Sequence, residues 1–138
     1  MEPSPENTLT SLSVTNLFSL PQPLPTVEIF IPIIKTDGLL IEKIISVGHT
    51  TTPGQWYDQE HDEWVMVVQG DATLAFEDSF ADSAEDGSTV NLVAGDYVLI
   101  PAHCRHRVVA TSHEPVCIWL AIHGDLTCHD LTKKNGNF

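Results

Sequence analysis

The chain has 138 residues, 42% of them hydrophobic, and sets 6 Lys plus Arg against 19 Asp plus Glu for a formal net charge of -13. That length suits one domain, the apolar fraction is too high for a disordered acidic chain, and the charge repels nucleic acid phosphates and anionic lipid, which removes nucleic acid and membranes as expected partners. The N-terminus lacks the charged flank and apolar run of a secretory signal and no stretch approaches a membrane span, so a cytoplasmic protein is expected.

Residues 1–25 carry Pro3, Pro5, Pro21, Pro23 and Pro25 among small polar residues, a composition that blocks helix and discourages central strand. They are read as an arm, either anchored through Leu17, Phe18 and Leu20 or left as a disordered tail. From Val27 the pattern turns to strand: two apolar, β-branched runs flank an Asp37-Gly38 turn, as in a hairpin. Pro53-Gly54 makes a further turn before the run WYDQEHDEWVMVVQG, and Gly70-Asp71 separates that run from DATLAFED.

The small acidic stretch SFADSAEDGS reads as a surface loop between two strands. Beyond Gly95-Asp96 come YVLIPA, a turn through His103 to Arg105, HRVVAT, the breaker SHEP and VCIWLAIH, with a polar tail over 127–138. Short strands separated by turns, with no helical periodicity between them, predict an all-β antiparallel sandwich or barrel over 26–126. The cysteines Cys104, Cys117 and Cys128 have no CxxC spacing and are read as thiols.

Two stretches concentrate the polar chemistry. In an extended strand Tyr57, Gln59, His61 and Glu63 share one face, with Asp58, Glu60 and Asp62 on the other. Imidazole, carboxylate and amide donors in one row suit a first-row divalent ion with water completing the shell, and a solvated polar row at a barrel mouth is the plainer alternative. The other stretch is GDYVLIPAHCRH, in which Pro101 follows Gly95 by six residues and His106 follows Pro101 by five. It resembles the second motif of the cupin superfamily, with His103 where that family usually has Gly. Glu63-Trp64 with Gly70 seven residues after the Glu resembles the end of the first motif, whose two histidine positions are held here by Tyr57 and Gln59.

The resemblance implies a double-sheet jelly-roll barrel and a homodimer. It also implies one divalent metal ion (zinc, iron, nickel or manganese) held by His61, His106, Gln59 and Glu63, and a metal-dependent oxygenase, isomerase or lyase acting on a small polar or anionic molecule. A non-catalytic ligand-binding or sensing barrel and a metal-free acid/base enzyme of isomerase type remain open beside it. His106, Tyr57 and His103 are the candidate catalytic groups. Arg105, Arg107 and the wall residue Trp56 are the candidate substrate contacts, although a regular strand turns both arginines away from His106. His123 reaches the interior by parity with Trp119 and Ala121.

Overall fold

A computed structural model describes residues 12–77 and 88–127. Eight strands follow in chain order: β1 Ile29–Lys35, β2 Leu39–Ser46, β3 Asp62–Gln69, β4 Asp71–Phe76, β5 Ser88–Val93, β6 Tyr97–Ile100, β7 His106–Thr111 and β8 Cys117–Gly124. All pairings are antiparallel. One sheet runs β1-β2-β8-β3-β6 and the other β5-β4-β7. The acidic stretch expected to be a loop falls almost wholly within 78–87, outside the described residues, as does Cys128.

Period-2 alternation decides which side chains the two sheets share. Ile44 on β2, Val65 and Val67 on β3, Leu74 on β4, Leu92 on β5, Ile100 on β6 and Trp119 and Ala121 on β8 form one buried cluster joining both sheets. Burying each large member stabilises the fold by roughly 1.5–3 kcal/mol. The layers are thus welded by residues two apart along each strand, and the positions that continue those inward rows toward one end of the barrel become polar.

Gly70 makes the sharp passage from β3 to β4 at φ +83°, where a Cβ would collide with Ser112 and stand 3.0 Å from the Cys117 backbone. The hairpin predicted around Asp37-Gly38 joins β1 to β2, with the Thr36 amide donating to the Leu39 carbonyl at 2.8 Å. The described part of the proline-rich arm is held to β2 by Lys43, whose ammonium donates to the Ser19 carbonyl. Leu17 and Leu20 are half-buried there, whereas Phe18 is exposed.

Candidate functional site

The polar ends of the inward rows meet at one end of the barrel. On β2, Glu42 continues the row of Ile44 and Ser46; on β3, Glu63 continues that of Val65 and Val67; on β8, His123 continues that of Trp119 and Ala121. Register places His123 directly opposite Glu63, and β8 lies between β2 and β3. His106, at the start of β7 in the facing sheet, reaches across toward Glu63. These four groups line an inner cavity of ≈ 80 Å³ together with Glu28, Tyr57, Gln59 and apolar core residues. An adjoining outer cavity of ≈ 340 Å³ shares Glu42, Gln59 and His123 with it and adds Lys35, Asp37 and His61.

His106 is 5% exposed and oriented from both sides. Its Nδ1–H donates to the Cys104 carbonyl at 2.9 Å, so Nε2 is the nitrogen left for chemistry, and Nε2 stands 3.4 Å from Glu63 Oε1. Burial works to lower the pKa, but the Glu63 hydrogen bond, the Cys104 carbonyl and the Glu63 charge outweigh it, leaving His106 above the ordinary histidine value. The Glu63 carboxylate therefore stabilises the imidazolium once Nε2 has taken a proton, and the neutral form keeps Nε2 as a base.

Tyr57 stacks at a tilt against His106, with ring centroids 5.5 Å apart, and Phe76 approaches the imidazole from another side at 6.1 Å. Burial first, then the charges of Glu28 and Glu63, raise the Tyr57 phenol pKa against the opposing hydrogen bond with Thr51, so its proton is firmly held. On the other side of the cavity His123 Nε2–H donates to Glu42 Oε2 at 3.0 Å. Beneath them, Ser46 Oγ bonds Glu28 at 2.5 Å and accepts the Trp119 indole N–H at 3.1 Å. Burial keeps the Cys117 thiol protonated, its pKa pushed up to about 12 by burial and then by the Asp71 and Glu28 charges.

The extended face expected over Tyr57 to Glu63 is broken. Tyr57 makes an isolated bridge to His106, the chain bends at Glu60 and His61, and β3 begins only at Asp62. Tyr57, Gln59 and Glu63 therefore meet at the inner cavity, while His61 is turned out, exposed, to the outer one. Asp62 fixes this geometry. Its Oδ1 accepts the Ala102 amide at 2.9 Å and its Oδ2 the Leu126 amide at 2.9 Å, tying the start of β3 to the turn after β6 and the end of β8.

Four further expected site residues, His103, Arg105, Arg107 and Trp56, lie outside both cavities. His103 occupies the left-handed region at φ 64°, which explains why glycine suits this position, and its exposed ring pairs with Asp58 at 2.9 Å. Arg105 and Arg107 alternate with the inward His106 and so project from the barrel. Arg105 pairs with Glu77 at 2.9 Å, and both guanidiniums lie about the Trp56 ring, at 6.0 and 5.8 Å. Neither arginine lines the inner cavity, where carboxylates outnumber cations. The interior acids Glu28 and Glu42 escaped the sequence reading. A lone acid at inward parity in LLIEKIIS was the available signal for Glu42.

The donor set does not complete a metal shell. His106 Nε2 and Glu63 are strong ligands, but His61 is in the other cavity, Gln59 offers only a weak amide oxygen, and three strong protein ligands are the usual minimum for a catalytic zinc site. Among the described residues no group of three His, Cys, Asp or Glu side chains is placed to hold an ion.

The cupin domain family matches residues 44–123. A Ralstonia eutropha JMP134 protein provisionally named a mannose-6-phosphate isomerase is 43% identical, covering 83% of this chain and 99% of its own at a TM-score of 0.71. A cupin superfamily protein of Desulfitobacterium hafniense DCB-2 is 20% identical, covering 80% of this chain and 99% of its own at 0.57. HppE in its iron(II) form is 11% identical, covering 70% of this chain and 50% of its own at 0.56. The latter two likenesses concern the fold alone. No curated protein matches in sequence.

Proposed function

Because the chain belongs to the cupin family, we propose that its barrel is an acid/base site of isomerase type, moving protons on a small hydroxy-carbonyl compound through His106 and Glu63. The observation that carries this reading is the buried Nε2 of His106, its tautomer set by the Cys104 carbonyl and its charged form favoured by Glu63 3.4 Å away. An imidazole so arranged takes a proton on Nε2 and holds it as an imidazolium beside a carboxylate, while the Cys104 carbonyl orients the ring through its other nitrogen. Tyr57, with its phenol kept protonated, donates a hydrogen bond to the substrate rather than acting as a base.

The name of the 43% identical Ralstonia protein supports isomerisation as the reaction class. The charges around the cavities divide a substrate in two. The inner cavity, lined by Glu28, Glu42 and Glu63 with no Lys or Arg, accepts the uncharged reacting end, and an anionic end stays in the outer cavity, whose mixed lining offers Lys35 and His61 beside Asp37 and Glu42. This separation retains the expected anionic substrate but moves its recognition from Arg105 and Arg107 to the outer cavity.

The proposal is tested by deuterium exchange. Wild type and His106→Gln are incubated in D2O with a panel of small aldoses, ketoses and their monophosphates, and deuterium at the carbon beside the carbonyl is followed by NMR. The wild type incorporates deuterium and the variant does not. Exchange by neither protein on any compound contradicts the proposal, as does equal exchange by both.

A further inference from the structure

The inner cavity contains a second imidazole–carboxylate pair that the reading above leaves without a task. His123 is held by Glu42 at 3.0 Å, both side chains are largely buried at 16% and 11% exposure, and both line the same cavity as His106 and Glu63. The strand order β2-β8-β3 sets His123 directly opposite Glu63 and diagonal to Glu42, which pairs with Ala121, and His106 faces Glu63 from the other sheet. The result is a row of alternating acid and imidazole across the barrel: Glu42, His123, Glu63, His106. His123 also borders the outer cavity, so it stands at the passage a substrate must cross.

Two imidazoles lining one small cavity match a requirement of the chemistry. Interconverting a 2-hydroxy aldehyde and a ketone moves one proton between carbons and another between oxygens, and no single nitrogen is placed to serve both. We propose that His123, oriented by Glu42, is a second catalytic residue that carries the oxygen-bound proton while His106 carries the carbon-bound one; this rests on the acid/base reading of the site.

The two steps balance. Neutral His106 Nε2 takes the proton from the hydroxyl-bearing carbon, the freed electron pair forms a carbon–carbon double bond, and the carbonyl oxygen takes a proton from the His123 imidazolium to give an enediol. The other enediol oxygen then returns a proton to His123, its carbon–oxygen bond becomes the new carbonyl, and His106 delivers its proton to the former carbonyl carbon. Both histidines end as they began, and no oxidant or reductant is consumed. Since Nε2–H of His123 is engaged by Glu42, Nδ1 is the nitrogen left to exchange.

The test compares wild type with His123→Gln for isomerisation rate and carbon-bound deuterium exchange, with His106 imidazole NMR signals confirming that the cavity is intact. The variant is expected to lose about 10²–10⁴-fold in isomerisation turnover while keeping carbon-bound exchange by His106. Its ratio of carbon exchange to isomerisation should rise. Turnover and an exchange-to-isomerisation ratio near those of the wild type overturn this inference and leave the acid/base reading standing. Absence of exchange by the wild type overturns both.

Discussion

Replacing Ser46 by Ala probes the floor of the cavity. Ser46 is fully buried, bonds Glu28 through its hydroxyl and accepts the Trp119 indole N–H, so the change strands one buried donor and removes one bond to a carboxylate. An unsatisfied buried donor costs about 1–3 kcal/mol and a hydrogen bond to a charged group about 1.5–3 kcal/mol, so a destabilisation of about 3 kcal/mol is expected after Glu28 recovers some water at its half-exposed end. For a domain of this size that lowers the melting temperature by about 10 °C. Urea unfolding should show a lower midpoint with an unchanged slope. Trp119→Phe removes the stranded indole donor, so the double variant should be less destabilised than the two single changes summed. Strict additivity, or a Ser46→Ala cost below about 0.5 kcal/mol, would refute the account of this chain of bonds.

Further outcomes follow from the charges. Because His106 has a raised pKa in the folded chain, the stability it contributes is complete below about pH 6.5 and is lost as the pH rises through the folded value; urea midpoints measured across that range should fall on the alkaline side, and Glu63→Gln should flatten the fall. Asp62 behaves in the opposite sense. The Leu126 and Ala102 amides hold its carboxyl below the usual range, so its contribution is present above about pH 4 and disappears on acidification. Asp62→Asn should be less stable than wild type at neutral pH, and the two should converge in acid. His61→Ala, an exposed change, should alter stability by no more than about 0.5 kcal/mol; loss of a bound divalent ion in that variant would revive the metal site expected from the sequence.

The strands were legible because the pattern is local. The Asp37-Gly38 turn between β-branched runs and the alternation of Val65 and Val67 with outward neighbours each specify a strand face within a few residues. The outward placement of Arg105 and Arg107 was legible by the same parity. The bend at Glu60 and His61 was not, because it depends on Asp62 meeting amides at Ala102 and Leu126, 40 and 64 residues further along. The pairing of His123 with Glu42 spans 81 residues and follows only from β8 lying beside β2. Sequence spacing could place His123 inside the barrel, but the acid that orients it belongs to a strand whose neighbours only the fold supplies.

The most direct test of the central claim is the rate of carbon-bound deuterium exchange by the protein stripped of metal with a chelator, compared with the same protein resupplied with divalent ions. Proton transfer by His106 and Glu63 predicts exchange by the stripped protein at an undiminished rate, lost on His106→Gln. Exchange that disappears with the metal and returns with it would contradict the acid/base account.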